Sequence, residues 1–272
     1  MRTLNNIINR IQEKFRNKNI NKLSVRITLL FMIPILMFAA NSVMAQKAPE
    51  FSNKILPDDK TYFYFVADRF EYYSIKGTNP LVADIQGYIG KDYNKFWFKA
   101  EGEFLTTEKE GEMEIQGLYS RPLTSYFDFQ AGLRYDIAYN DVNTSTRAFA
   151  VVGLQGLAPY LFEVDGSIQV SEDGDASGSF EGEIDLLVTQ RLIIQPRFAT
   201  SVAVQKVEEY GVGSGLNNIQ LGLRLRYEIK RELAPYIGIS WNRKLSETAD
   251  LAKLEGADVS VFGVVGGVRV WY

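Results

Sequence analysis

From residue 61 to its last residue the chain alternates apolar and polar side chains in stretches of roughly ten residues, each closed by turn formers, as membrane-crossing strands do. The pattern is plainest in Phe96-Trp97-Phe98-Lys99-Ala100-Glu101-Gly102-Glu103, in Phe127-Asp128-Phe129-Gln130-Ala131-Gly132-Leu133-Arg134 and in Ile219-Gln220-Leu221-Gly222-Leu223-Arg224-Leu225-Arg226-Tyr227. Successive side chains on a strand point to opposite faces, so each stretch has one apolar and one charged face. A soluble sheet must bury the apolar face under a second layer. In a membrane barrel that face meets lipid and the charged face lines the interior. Beyond the amino-terminal leader no apolar run is long enough for a transmembrane helix, and a closed barrel is the other structure that crosses a bilayer.

Strand-like stretches are expected at 61–74, 80–91, 95–106, 111–121, 126–138, 146–157, 160–171, 177–188, 191–204, 217–230, 233–245 and 259–272. Tight connections fall at Lys91-Asp92-Tyr93-Asn94, Pro122-Leu123-Thr124-Ser125, Ala158-Pro159, Thr189-Gln190 and Arg231-Glu232. The alternate set is mostly longer: 75–79, 139–145, 172–176, the glycine-rich 205–216 and 246–258. Short turns at one end and longer loops at the other is the asymmetry of outer-membrane barrels, and an even strand count puts both termini on the periplasmic side. The chain closes on Val268-Arg269-Val270-Trp271-Tyr272, alternating into a terminal aromatic, the kind of last strand that bacterial barrel-insertion machinery reads. The fold class is therefore all-β: a transmembrane antiparallel up-and-down β-barrel of about twelve strands spanning 61–272. Pro196 lies inside the ninth stretch, where it removes a ladder donor, and a bulge is expected there.

Residues 1–45 read as a secretory signal for export to the outer membrane of a Gram-negative bacterium. Arg2, Arg10, Lys14, Arg16, Lys18, Lys22 and Arg26 face a single acid, Glu13, before an apolar run from Ile27 to Ala40; Val43-Met44-Ala45 then offers a cleavage site. Residues 46–60 are polar, hold Pro49 and Pro57, do not alternate, and read as a short periplasmic lead-in.

The whole chain carries a net charge of −3. Losing the basic leader leaves the remainder strongly acidic, which argues against a nucleic-acid partner. The chain has no cysteine and no histidine. Disulfides and lipid-modifiable cysteine are thereby excluded, as are Ser-His-Asp hydrolysis and histidine-ligated zinc. An enzyme is not expected, nor an organic cofactor.

Taking the polar parity of each stretch as inward places Asp84, Gln86 and Tyr88, then Lys99, Glu101 and Glu103, then Glu112, Glu114 and Gln116 in the lumen. Asp128, Gln130, Arg134, Asp136, Arg147, Gln155, Glu163, Asp165, Ser167 and Gln169 follow, then Glu181, Glu183, Asp185, Arg191, Gln195, Arg197, Gln220, Arg224, Arg226, Glu228 and Arg269. Acids dominate one part of this wall and arginines another. The lattice can be structural, because buried ions need partners, or it can line a path for small ions; both readings stand. Phe96, Phe98, Ile115, Phe127, Phe129, Leu133, Phe162, Val164, Ile184, Leu186, Leu221, Leu223, Leu225, Ile237 and Ile239 take the lipid face. Tyr62, Tyr64, Tyr126, Tyr160, Tyr227, Tyr236, Trp241 and Tyr272 are expected as interfacial girdle aromatics.

Several multi-residue stretches resemble the outer-membrane copper resistance protein B family. They include Gly213-Ser214-Gly215-Leu216 with Ile219 through Glu232, Ala234-Pro235-Tyr236-Ile237-Gly238 with Trp241, and Thr248-Ala249-Asp250. Gln155 through Tyr160 with Glu163, Leu187 through Pro196, Leu118 through Arg121, Lys99 through Glu103, and Asp68 with Glu71 also match. The resemblance runs over about 61–272 and implies an outer-membrane barrel associated with copper tolerance, with copper ion as its metal and periplasmic copper-handling proteins as partners. Members usually carry a methionine- and histidine-rich segment before the barrel; 46–60 holds neither residue. Met113 is the one methionine beyond the leader and takes the outward parity. Soft Cu(I) prefers sulfur and Cu(II) imidazole, so any metal here is expected to use oxygen ligands. The candidate cluster is Asp84, Glu101, Glu103, Glu112 and Glu114, on three adjacent strands whose facing side chains lie about 5 Å apart. The alternatives are a general small-solute channel and a barrel closed by its own ion pairs, neither with a metal role.

Overall fold

The computed structural model describes residues 60–75, 79–105, 110–140 and 142–272. The expected signal sequence, and all of the lead-in before Lys60, lie outside the described residues.

The strands are β1 (Tyr62–Ser74), β2 (Pro80–Gly90), β3 (Lys95–Leu105), β4 (Gly111–Pro122), β5 (Phe127–Tyr139), β6 (Thr144–Ala158), β7 (Phe162–Ser171), β8 (Ala176–Ile184), β9 (Leu186–Leu187), β10 (Leu192–Ala203), β11 (Gly215–Tyr227), β12 (Leu233–Lys244) and β13 (Ser260–Trp271). Among the described residues, one α-helix, α1 (Ser246–Glu255), sits in the connection before β13. Strands pair antiparallel with their sequence neighbours, and β13 pairs with β1 to close the sheet. Strands β8 and β9 both pair with β10 and form one stave broken at Asp185, so the barrel has twelve staves. Closure at the short-turn end is completed by Tyr272, whose N–H donates to the Phe65 carbonyl at 2.8 Å while Phe65 N–H donates back at 3.0 Å. A closed ladder leaves no sheet edge unpaired, the condition for backbone to sit in hydrocarbon.

The two faces separate as the alternation demands. Phe96, Phe98, Phe129, Leu133, Leu221, Leu223, Leu225, Ile237 and Ile239 are exposed on the outside of the sheet, while Arg69, Glu71, Arg147, Arg197, Arg224 and Arg226 are buried within it. This inside-out distribution fits a bilayer as solvent and no aqueous one. Apolar burial inside is limited to small groups, one of Trp97, Leu118, Phe149 and Val151 with Tyr64 and Tyr88 packed on it.

Four local expectations are corrected. Pro196 does not bulge its own strand: it stays in register with Leu223 of β11. The accommodation is on its other side, where pairing between β10 and the β8–β9 stave lapses at Gln195 and Pro196, between the Arg197–Glu183 and Ile194–Leu186 pairs. A residue without an N–H cannot complete that ladder, and the neighbour breaks there. Tyr64 and Tyr236 are not girdle residues. Tyr64 stacks on Tyr88 inside, with ring centroids 5.5 Å apart, and Tyr236 is buried. The expected loop at 246–258 contains α1, ended by Gly256 in the left-handed conformation that glycine adopts without strain. Finally, Arg191 and Glu228 fall just outside β10 and β11, in two neighbouring short turns rather than on the luminal wall.

Candidate functional site: the charged lumen

The barrel encloses a cavity of about 1140 Å³. Its lining runs from Ser125, Tyr126 and Leu157 at the short-turn end to Ser145, Val207 and Tyr210 at the long-loop end.

Strand register arranges the lining into rungs. Across β1 to β6, Arg69 faces Asp84, Asp84 faces Glu101, Glu101 faces Glu114, Glu114 faces Asp136, and Asp136 faces Arg147. A row of four carboxylates on adjacent strands therefore ends in a guanidinium at each side. One rung toward the long loops, Glu103 of β3 faces Glu112 of β4. One rung toward the short turns lie Gln86, Lys99, Gln116 and Arg134, and beyond them Tyr88, Trp97 and Leu118. Like charges side by side repel, so such a row needs counter-ions.

Arginines supply part of that. Arg69 donates Nε and Nη2 to Asp84 at 3.1 and 2.9 Å, and Nη2 to Glu101 at 2.7 Å. Arg134 holds Glu114 at 2.7 Å and grips Asp136 with both Nε and Nη2 at 2.7 and 2.8 Å. Arg147 turns away to Asp175 in the next outer loop. The carboxylates of this wall outnumber the guanidinium groups that hold them. Among the described residues, neither Glu103 nor Glu112 lies within ion-pair distance of a lysine or arginine.

The five sequence-predicted acids thus share one face. Asp84, Glu101 and Glu114 stand in one rung, with Glu103 and Glu112 in the next. Met113 pairs with Gly102, off the acid parity. Among the described residues no group of three or more such side chains converges closely enough to hold a metal ion. The arrangement is a ladder of carboxylates rather than a chelate.

The opposite wall is arginine-rich, and each guanidinium has an acid. Arg197 pairs with Glu181 and also donates to Gln220 at 3.0 Å. Arg226 pairs with Asp185, and Arg269 with Asp68 at 2.7 Å. Arg224 reaches Glu71 at 2.7 Å, both buried. The sequence-level contrast between an acidic and a basic wall is real, but the basic wall is the better neutralised. Sequence reasoning left Asp68, Arg69 and Glu71 out of the luminal set, although Asp68 and Glu71 carry part of the family resemblance. A bulge between Ala67 and Arg69 shifts the register of β1, so one parity cannot describe the whole strand. The alternation of Arg69 and Glu71 with the exposed Phe70 and Tyr72 was the signal that could have found them.

At the long-loop end, residues 206–214 fold toward the mouth. Tyr210 lies under the Arg147 guanidinium, 4.5 Å from its ring centroid, and Val207 and Val212 bridge. Helix α1 holds the next segment: Thr248 accepts from Gly213 N–H at 2.9 Å, and Glu247 accepts from Ser214 N–H and Oγ–H at 3.0 and 2.9 Å. Those donors, the backbone N–H first, hold the Glu247 carboxyl below its ordinary range.

A closed twelve-stave antiparallel barrel, apolar outside and charged within, is a transmembrane β-barrel of the porin-like class. Comparison with known proteins gives the family. Residues 61–272 match the family model described as Copper resistance protein B precursor (CopB). Copper resistance protein B of Escherichia coli is 39% identical over 215 residues, covering 79% of this chain and 71% of that protein. The Copper resistance protein B homolog of Pseudomonas syringae pv. tomato is 36% identical over 209 residues, covering 77% and 69%. Among solved structures the NanC porin superposes with a TM-score of 0.50 at 12% identity, over 77% of this chain and 99% of that one, a likeness of fold. The chain belongs to the copper resistance protein B family.

Proposed function

We propose that this chain is an outer-membrane barrel, exported by a leader cleaved after Ala45, that serves copper tolerance by passing metal cations along its acid-lined lumen. The observation that carries this reading is the carboxylate row Asp84–Glu101–Glu114–Asp136, with Glu103 and Glu112 above it, facing a cavity that reaches both ends of the barrel. Excess carboxylate over guanidinium favours cations inside a low-dielectric wall. Oxygen donors on separate rungs suit weak, successive contacts, and conduction needs binding that is weak enough to release. Copper is then cargo handed between oxygens, with selectivity supplied by neighbouring periplasmic copper-handling proteins rather than by this donor set. Asp84, Glu101, Glu103, Glu112 and Glu114 are the residues that would touch the ion. No catalytic role is proposed, and the terminal Trp271-Tyr272 strand would serve barrel insertion.

The test is copper tolerance of a strain lacking the gene, complemented by the wild-type chain or by Glu101→Gln/Glu103→Gln/Glu112→Gln/Glu114→Gln. The expected result is copper sensitivity on deletion, rescue by the wild type and weak rescue by the neutralised barrel. Equal tolerance with and without the gene removes the copper reading and leaves a general small-solute channel.

A further inference from the structure

Among the described residues, two neighbouring side-chain bridges cross the lumen from β2 and β3 to β6 and β7, and elsewhere Arg269 lies 3.8 Å from Asp185, also four staves away. Lys99 of β3 donates its ammonium to Asp165 of β7, four staves away. Beside it Gln155 of β6 donates to Gln86 of β2 at 3.2 Å, also four staves away, and Gln155 is itself held by Gln130 at 2.7 Å. Register makes these one structure: Gln86 faces Lys99 across β2 and β3, and Gln155 faces Asp165 across β6 and β7. The Lys99 ammonium also lies over the Trp97 ring at 6.0 Å, so an aromatic backs it on the short-turn side. Toward the long loops the next rung is the acid row at Glu101. An ion entering from that side meets carboxylates first and then a fixed positive charge strung across its path.

We propose that the Lys99–Asp165 bridge, with Gln86–Gln155 beside it, is the constriction of the barrel and sets both its conductance and its charge preference. This deepens the cation-path reading and rests on it. Strand pairing sets Lys99 only beside Gln86 and Gln116 and does not require it to span the lumen; its reach to β7 narrows the passage. Its ammonium repels cations that the acid row has gathered, and Asp165 offsets that repulsion only while the bridge is made. A cation passing inward therefore competes with Lys99 for Asp165.

The experiment is conductance of the full barrel in planar bilayers under a potassium chloride gradient, for wild type, Lys99→Gln, Asp165→Asn and the exchange Lys99→Asp/Asp165→Lys. Heat-dependent gel migration checks that each has folded. Lys99→Gln is expected to raise conductance and to raise the cation-to-anion permeability ratio about tenfold, the order expected for deleting one unit charge about 6 Å from the path at the dielectric of water. Asp165→Asn also breaks the bridge but leaves the ammonium, so conductance rises while the ratio falls. The exchange restores the narrow state. Lys99→Gln and Asp165→Asn both conducting like the wild type would overturn the constriction. If the wild type is closed and Lys99→Gln opens it, the constriction stands and the open-path reading falls; if both stay closed, the constriction is refuted. A wild type that conducts with no cation preference removes the functional reading alone.

Discussion

Glu71 of β1 and Arg224 of β11 meet across the width of β12 and β13, with Arg224 Nε donating to Glu71 Oε1 at 2.8 Å and Nη2 lying 2.7 Å away. Glu71 is 0% exposed and Arg224 2%. The pair ties the first strand to the carboxy-terminal third of the barrel. Removing one partner strands a buried charge at a cost of about 3–5 kcal/mol, whereas replacing both with apolar groups of similar size is often neutral. Glu71→Ala is therefore expected to lower unfolding stability in micelles strongly, and Glu71→Met/Arg224→Met to restore most of it. Urea titration followed by tryptophan fluorescence measures both.

The outer face makes an independent demand. Leu223 lies mid-strand on β11, exposed on the side away from the lumen and next in sequence to the buried Arg224. An arginine at bilayer mid-depth costs a barrel about 2–4 kcal/mol. Leu223→Arg should lose about that much stability when folded into lipid vesicles. A change within experimental error would mean that this face does not meet hydrocarbon.

The long-loop end should respond to acid. Glu247 accepts two bonds from Ser214, and its carboxyl titrates below the ordinary 4.5 in the folded loop. A depressed folded pKa contributes stability that is fully present above the unfolded value and is lost as pH falls through the folded one. Protease cleavage within 206–214 is thus expected to be slow at neutral pH and to quicken below about pH 4.5. Glu247→Gln should cleave faster at neutral pH and lose the acid dependence, as read by limited proteolysis with an acid-tolerant protease.

Packing inside the wall is tight where glycine permits it. A Cβ on Gly132 would stand 2.1 Å from the Gly117 carbonyl oxygen and 2.9 Å from the Leu118 Cα. Backbone, not a side-chain tip, would have to move, so Gly132→Ala should cost about 1–3 kcal/mol. Equilibrium unfolding checks it against Gly266→Ala, where nothing lies within 4 Å of the added carbon.

The staves were legible because a membrane barrel leaves little choice. With lipid on one side and charge on the other, a one-residue slip exposes every side chain to the wrong medium, so alternation fixes register. It fails where alternation itself is interrupted. The bulge at Asp68 hid Arg69 and Glu71, although Arg69 closes the acid row and Glu71 anchors Arg224. The acid row was visible as parity in β2 to β5. Its staples were not, since Arg69–Glu101 and Lys99–Asp165 depend on which staves stand near one another after closure. Tyr64 and Tyr236 show the same limit: a tyrosine near a strand end reads as a girdle residue unless its parity is counted, and both have the inward one. Helix α1 was legible in Glu247 through Glu255, rich in helix formers and closed by Gly256, but loop length alone suggested no structure.

The central claim is that the carboxylate row lines a watery lumen and the leucine face meets lipid. The chain holds no cysteine, so single substitutions report without background. The decisive measurement is reaction of Glu114→Cys and Leu223→Cys, each folded in vesicles, with a charged, membrane-impermeant thiol reagent. Labelling of position 114 with protection of position 223 is the predicted result; labelling of 223 with protection of 114 would contradict the account.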